Sequence, residues 1–298
     1  MCIVFVQRYP IRSNIGVRGR PPQLPETEDI MRPAVFILLL IALCAAAPAT
    51  AQPVWVAAEQ DHAISFEWQK PFLENNDGVK FFNSTFFFGY RVRTSEAMTF
   101  LVDLPFSNFS TDAVDEFILG NPYVGIALGG EDALISGDVG VRLPIADKEK
   151  GQAASYASIT DIDRLEAFAT EAVPAMGILR LHTGIPGTKL GVRLHTGPSI
   201  LVYMDDRGDE IMDVYLKYGF LTQYEDENVL VQLGYSGVYT VRHQFDSLED
   251  QGSSQIGLTV NADVGVGFWP GLLLRIPLDN HLGAGLDAVF GVNLMFVI

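Results

Sequence analysis

The chain has 298 residues and a formal net charge of −16, and 48% of its residues are hydrophobic. This acidic excess argues against a nucleic-acid partner, because phosphate backbones are bound by basic surfaces. The two cysteines, Cys2 and Cys44, both precede residue 52. The remainder of the chain can therefore form no disulfide, no thiolate metal site and no cysteine nucleophile.

Residues 31–51 have the order of an export signal. Arg32 supplies a positive start, an apolar run of 14 residues extends from Ala34 to Ala47, and Ala49-Thr50-Ala51 places small residues where signal peptidase reads them. A membrane-spanning helix needs roughly 20 apolar residues, so the run is too short for an anchor. We therefore predict cleavage before Gln52.

Residues 1–30 precede this signal, and Met31 is a better initiator than Met1 because export signals normally start at the initiator. The predicted organisation is an upstream extension from a misplaced start codon at 1–30, a signal peptide at 31–51 and an outer-membrane β-barrel at 52–298.

The region that follows alternates between apolar and polar residues with period two. Leu258, Val260 and Ala262, for example, alternate with Thr259 and Asn261. This pattern predicts strands with one apolar and one polar face. The strands with the clearest alternation are 10 to 14 residues long. Tilted strands that cross a bilayer need about 9 to 11 residues, whereas soluble strands average about 5 to 6, so the lengths favour a membrane barrel.

Twelve strands are predicted, an even number as bacterial single-chain barrels require. They lie near residues 62–70, 80–93, 96–105, 117–128, 132–144, 175–184, 188–204, 210–224, 227–242, 254–268, 271–278 and 284–298. The connections at one end of the predicted barrel are short. The connections at the other end include the longest ones, at 106–116, 145–174 and 243–253, as in outer-membrane barrels. The predicted fold is all-β: a transmembrane antiparallel up-and-down β-barrel of about 12 strands in the bacterial cell outer membrane.

The last strand supports this prediction independently. Its Gly291, Leu294 and Phe296 resemble the C-terminal signal that the barrel-assembly machinery reads. We therefore expect outer-membrane lipid and that machinery as partners.

The longest connection is predicted to contain one short helix. Ile162, Leu165 and Phe168 follow at helical spacing within residues 161–172, with Thr160 as the N-cap. Such a helix could fold inward and narrow the pore, or pack over the rim of the barrel.

The polar face of the strands should line the lumen, and one motif there is repeated. Arg-Leu-His-Thr-Gly occurs at 180–184 and again at 193–197, on two strands joined by a turn. One interpretation is a constriction that favours anions or carboxylate head groups. The other, which we favour, is that the arginines pair with acids such as Asp138 or Asp213 and brace the wall. The lumen-lining candidates are Arg180, His182, Arg193, His195, Arg91, Asp213 and Lys217.

Neither catalysis nor metal binding is predicted. His195 and Ser199 share a face of one strand but are about 13 Å apart at roughly 3.3 Å per residue, so they cannot share a proton. The five histidines show no ligand spacing, and no sequence motif indicates a cofactor. We therefore predict that the protein is not an enzyme.

The stretch Leu119-Gly120-Asn121-Pro122-Tyr123-Val124-Gly125 resembles the Gly-Asp/Asn-Pro-x-x-Gly motif of the phenol meta-pathway transporter family of outer-membrane barrels. That family is similar to the long-chain fatty-acid transporter class, and the resemblance implies passage of hydrophobic small molecules. It brings no assigned binding residues. The matching Gly120, Asn121, Pro122 and Gly125 are expected to be structural, with an irregularity at Pro122 because proline lacks a ladder donor.

The sequence thus predicts an outer-membrane channel or transporter for passive passage of small-molecule solutes, hydrophobic ones among them. The alternative is a structural or surface-interaction barrel whose lumen is filled by its own side chains.

Overall fold

The computed structural model describes residues 62–74, 79–129, 133–204, 212–241, 252–278 and 285–298. The predicted extension at 1–30, the signal peptide at 31–51 and most of the connection at 243–253 lie outside the described residues. Within the described ranges, no helix is long and apolar enough to span a membrane.

Period-two alternation gives strands along the whole described region. They are β1 (His62–Phe72), β2 (Ser84–Ser95), β3 (Met98–Ser110), β4 (Asp115–Leu119), β5 (Tyr123–Leu128), β6 (Ile135–Arg142), β7 (Ala172–Gly184), β8 (Leu190–Tyr203), β9 (Met212–Asp226), β10 (Val229–Thr240), β11 (Gly252–Ala262), β12 (Phe268–Pro277) and β13 (Ala288–Val297).

These strands form one closed antiparallel barrel. Neighbours in sequence pair in order, and β1 closes the sheet by pairing with β13 from Ala63↔Val297 to Phe72↔Ala288. Both β4 and β5 pair with β3, so they are two halves of one interrupted strand. The predicted twelve-strand barrel is therefore confirmed, with its fourth strand broken at residues 120–122.

The two faces of the sheet also lie as predicted. Leu258 and Leu274 on the outer face are 40% and 42% exposed, as expected for side chains that meet lipid. Gln232 and Arg275 point inward and are 0% exposed. The polar half of each strand therefore lines the lumen.

Several strand bounds differ from the prediction. β3 continues to Ser110, five residues beyond the predicted end at 105, and β2 starts at Ser84 instead of 80. Asn83 explains both differences, because its side chain donates to Ser110 O (2.9 Å) and accepts from Ser110 N (2.9 Å). The Asn83 side chain thus takes the place of backbone pairing between β2 and β3 at this end of the two strands.

The predicted helix at 161–172 is wrong in position. A short 3-10 turn (Lys148–Lys150) leads into α1 (Gly151–Thr160), and a second 3-10 stretch covers Ile162–Phe168. Thr160 ends α1, where its hydroxyl donates to Tyr156 O (2.7 Å). The acids and the arginine of 161–166 face the barrel wall. Their spacing therefore reflects contacts with the strands of the barrel and not the periodicity of an amphipathic helix.

Residues 143–171, here called the inward segment, join β6 to β7 and fold into the lumen. Phe168 packs against Phe87 of β2 with ring centroids 6.1 Å apart, beside the buried Ala153 and Ala157 of α1. Of the two predicted alternatives, the structure shows the inward one.

Candidate functional site

The barrel has two distinct ends. His62, Ile298 and the short connections at 96–97, 185–189 and 227–228 lie at one, here called the turn end. The inward segment and the longer connections start from the other, here called the loop end. In outer-membrane barrels the short turns face the periplasm.

One side of the inward segment is bound to β1 and β12 by charged groups. Arg164 donates to both carboxylate oxygens of Glu67 (3.1 and 2.6 Å) and to Asp161 (2.9 and 2.7 Å). Arg275 of β12 lies 3.0 Å from Asp161 and donates to Thr160 O (2.9 Å). All of these side chains are buried, so each charge depends on its partner.

Burial alone would raise the pKa of Asp161. The guanidinium groups of Arg164 and Arg275 lower it more, and the net pKa lies below the ordinary range. Asp161 is therefore a carboxylate that holds two arginines in place.

The other side of the inward segment is bound to β9, β10 and β11. Lys217 donates to Glu166 (2.8 Å) and to Asp163 O (2.6 Å). The Asp163 carboxylate accepts from Ser236 (3.0 Å) and Gln255 (2.7 Å). Together with the contacts to β1 and β12, these bonds hold the segment across the width of the lumen.

The interruption between β4 and β5 holds both ends of the same segment. Asn121 Oδ1 accepts from Ile145 N and Ala146 N (both 2.9 Å), where the chain enters the lumen. Its Nδ2 donates to Glu166 O (3.3 Å) and Ala169 O (2.6 Å), where the chain leaves. The family-like motif is therefore structural in this chain: it replaces strand pairing with an anchor for the inward segment.

A cavity of about 90 Å³ lies against the inward segment, on its turn-end side. Apolar side chains such as Leu101, Met176 and Ile178 form part of its lining. Ionisable residues form much of the rest: Arg91, Arg142, Arg164, Arg180, Lys217, His195, Glu67, Asp103, Asp163 and Glu166. This mixture of charge and hydrocarbon is the chemistry available to a solute in the lumen.

The repeated Arg-Leu-His-Thr-Gly motif is placed by the β7–β8 hairpin. The register sets Arg180 opposite His195 and His182 opposite Arg193, so each arginine faces a histidine rather than the other arginine. Arg180 and His195 line the cavity, as do the predicted Arg91 and Lys217. Four of the seven predicted lumen residues thus come together around one space.

The other three predicted residues do not line the cavity. His182 Nε2 lies 3.0 Å from Gln223 Nε2, nearer the turn end, and Arg193 is buried beside it in the wall. Asp213 lies at the start of β9, where it accepts a hydrogen bond from the Tyr203 hydroxyl (2.6 Å).

Of the two acids predicted to pair with the arginines, Asp138 is the nearer one. Its Oδ2 lies 4.0 Å from Arg180 Nη2, and both of its buried oxygens lack a hydrogen bond. The Tyr123 hydroxyl is likewise buried without a hydrogen-bond partner. This part of the wall has polar capacity that its own side chains do not use.

The acids that reach the wall from the inward segment are not among the predicted lumen residues. Asp161, Asp163 and Glu166 lie in the stretch where the short helix is predicted. The available signal was that four charged residues within six positions, 161–166, follow an uncharged stretch of 10 residues at 151–160. In the part of the chain that the structure describes, no group of three potential metal ligands comes together.

No protein-family model matches the sequence, and comparison with curated proteins finds no match. Solved structures do match the fold. An outer membrane channel from Pseudomonas putida F1 is similar with a TM-score of 0.57 and 13% identity, over 84% of this chain and 100% of that one. The fold is therefore that of an outer-membrane barrel.

Two further solved structures are similar with lower scores. The CymD monoaromatic hydrocarbon channel has a TM-score of 0.41 and 10% identity, over 81% of this chain and 89% of that one. LpxR from Salmonella typhimurium, an enzyme, has a TM-score of 0.44 and 10% identity, over 79% of this chain and 100% of that one. A fold by itself does not establish a function, so the function is argued from the lumen.

Proposed function

We propose that the protein is an outer-membrane channel for the passive passage of small solutes, and that the inward segment sets its constriction. The observation that carries the proposal is the charged cavity enclosed between the barrel wall and that segment. A lumen lined by ionisable side chains offers hydrated solutes a path that lipid does not. The similar fold of a known outer membrane channel supports the same interpretation.

The second candidate is a closed barrel whose lumen is filled by its own side chains. The bridges from Arg164 to Glu67 and from Lys217 to Glu166 favour it, because they tie the inward segment to opposite walls. The two candidates differ in whether the segment leaves a continuous path through the lumen.

Conductance in planar lipid bilayers separates these candidates. We expect discrete current steps from the purified wild-type barrel. We expect larger steps from the Asp161→Asn/Arg164→Gln variant, which keeps the net charge but removes the ionic contacts that this pair makes. The matched control is Lys148→Gln, because Lys148 makes an exposed ion pair with Glu171 at 2.6 Å.

Current only in the Asp161→Asn/Arg164→Gln variant would favour a barrel that is closed at rest. If neither protein carried current or released a small sugar in liposome swelling, the channel would be excluded.

A further inference from the structure

We propose that the outer face of the barrel binds the phosphate of an outer-leaflet glycolipid of the lipid A type, at Lys70 near the loop end of β1. The site lies on the lipid-facing side of the sheet, so this inference goes beyond the channel and does not depend on it. It follows from the position of Lys70, from the polar side chains beside it and from the aromatic rings around them.

Lys70 is a cation on the side of the sheet that meets lipid. Glu67 and Gln69 of β1 point into the lumen, where both contact the inward segment. The alternation therefore turns Lys70 outward, between Trp68 and Phe72. No other lysine or arginine occupies an outward-facing strand position in the ranges that the structure describes. A lysine on the lipid face is destabilising at the bilayer midplane but tolerated near the interfaces, so Lys70, two residues from the end of β1, marks an interface.

The charge of Lys70 has no carboxylate partner in the described part of the chain. None of the ion pairs formed between described residues includes it. Its ammonium donates to Phe81 O and lies 4.4 Å from the centroid of the Phe81 ring and 6.0 Å from that of Phe72. A carbonyl and two ring faces stabilise the cation but leave its charge in place. Because an ammonium has three donors and the carbonyl takes one, Lys70 can also donate to an anion.

Two more polar side chains lie beside Lys70 on the outer face. The β1–β2 register places Ser84 next to Lys70, and the β2–β3 register pairs Ser84 with Asn108. The Ser84 hydroxyl is buried, with 1% of the residue exposed, and has no hydrogen-bond partner among the described residues. Asn108 Nδ2 donates to Phe82 O (2.9 Å). A phosphate oxygen would accept from the ammonium of Lys70 and would supply the partner that the Ser84 hydroxyl lacks.

Aromatic rings surround these polar groups. Toward the turn end, Phe86 and Phe106 stack on the outer face with ring centroids 4.9 Å apart. Toward the loop end, Phe81 and Phe82 are 68% and 81% exposed. Aromatic side chains gather at the level of the lipid headgroups, so the Lys70 ammonium lies at that level with rings available to the acyl chains. The anionic group found at this level is a lipid phosphate.

The end of the barrel at which Lys70 lies selects the lipid. Lys70 is near the loop end, which faces the outside in outer-membrane barrels. The phosphates of the outer leaflet belong to glycolipids of the lipid A type, whereas phospholipids such as phosphatidylglycerol lie in the inner leaflet. A soluble phosphate would make the ionic contact without the contacts between rings and acyl chains. The occupant is therefore the glycolipid.

Native mass spectrometry of the full barrel, extracted from the outer membrane in detergent and titrated with lipid A, tests the proposal. In Lys70→Met we expect lipid A to bind at least about ten-fold more weakly, because a charge-assisted hydrogen bond is lost. Methionine keeps most of the length of the side chain and suits the lipid face, so the barrel should stay folded, which heat-modifiable migration on gels shows. Lys189→Met is the matched control, since it removes an exposed cation at the turn end.

The same titration with other ligands identifies the group that is bound. Lipid A from which the phosphates have been removed should bind weakly and equally to the wild type and to Lys70→Met. Phosphatidylglycerol should bind the wild type more weakly than lipid A does, and inorganic phosphate should not displace lipid A. Ser84→Ala should weaken the binding of lipid A about three-fold, because the hydroxyl adds one neutral hydrogen bond.

Loss of lipid A binding in Lys70→Met, with affinity kept in Lys189→Met, would support the site. Equal affinity in the two variants would overturn it, as would equal binding of lipid A with and without its phosphates. Tighter binding of phosphatidylglycerol than of lipid A would also overturn it, because the occupant would then be a phospholipid. None of these outcomes bears on the channel, which the conductance of the wild type tests separately.

Discussion

Arg164 is the side chain that most directly connects the inward segment to the barrel wall. It contacts two buried carboxylates, Glu67 and Asp161, and its guanidinium carbon lies 3.3 Å from the ring centroid of Phe87. Arg164→Gln would leave both acids buried with less compensation, which costs about 3–5 kcal/mol. We expect faster amide hydrogen exchange over residues 150–168 in lipid nanodiscs.

The control for this experiment is again Lys148→Gln, whose exposed ion pair should contribute less than about 1 kcal/mol. The Glu67→Gln/Arg164→Gln variant should recover part of the amide protection. It also removes the Glu67 carboxylate, which Arg164→Gln alone leaves buried without its partner. Equal exchange in Arg164→Gln and Lys148→Gln would show that the buried network does not hold the segment.

Two glycines make room for the ring of Tyr123 inside the wall. Gly125 and Gly140 face each other across β5 and β6, and a Cβ at either would lie 2.3 Å and 2.5 Å, respectively, from the nearest atom of Tyr123. Gly140→Ala should therefore destabilise the barrel by about 1–3 kcal/mol through overpacking. The measurement is the urea midpoint of unfolding from lipid vesicles.

Gly184→Ala is the matched control, because an added Cβ there meets no atom within 4 Å. Tyr123→Ala combined with Gly140→Ala should be less than additive, since the clash partner is gone. An unchanged midpoint in Gly140→Ala would mean that the Tyr123 ring moves away without cost.

Where the fourth strand is interrupted at residues 120–122, hydrogen bonds to the inward segment replace the backbone pairing of a continuous strand. Asn121→Ala removes four hydrogen bonds, two at each end of the inward segment, and leaves buried backbone groups unpaired. We expect a loss of about 3 kcal/mol or more in the stability of the segment. Protection of the Ile145 and Ala146 amides in hydrogen exchange should fall accordingly.

Asn121→Asp tests the contacts at the two ends of the inward segment separately. The carboxylate still accepts from Ile145 N and Ala146 N but cannot donate to Glu166 O or Ala169 O. The amides at 145–146 should therefore stay protected while residues 164–168 exchange faster. Equal loss at both ends would argue against two independent contacts.

The strands were predictable from sequence because their signal is local. Alternation depends on which face meets lipid, and that is set by each residue and its immediate neighbours. The path of the inward segment depends on Asp161 meeting Arg275 and Asp163 meeting Gln255, more than 90 positions away. Contacts at such separations leave no periodic pattern, so the helix was predicted in the wrong place.

The candidate site was predictable in part for the same reason. The polar face of each strand identified Arg91, Arg180, His195 and Lys217 as lumen residues, and all four line the cavity. Which of them share a space depends on barrel closure and register. Asp213 points inward as well, but it lies near the loop end beside Tyr203.

For the whole molecule, the lengths of the connections predict how the barrel sits in the membrane. The loop end should face the outside and the turn end the periplasm. With Cys2 and Cys44 replaced by serine, single cysteines can be placed at exposed positions of either end. Ala113→Cys at the loop end and Glu227→Cys at the turn end form a matched pair.

A membrane-impermeant maleimide applied to intact cells should label Ala113→Cys and leave Glu227→Cys unlabelled. Labelling of Glu227→Cys should appear after the outer membrane is permeabilised, which also shows that this thiol is reactive. The reverse pattern would show that the barrel is inverted, with the turn end at the cell surface. In the expected orientation, a solute entering from outside reaches the inward segment first and the arginines of the turn end last.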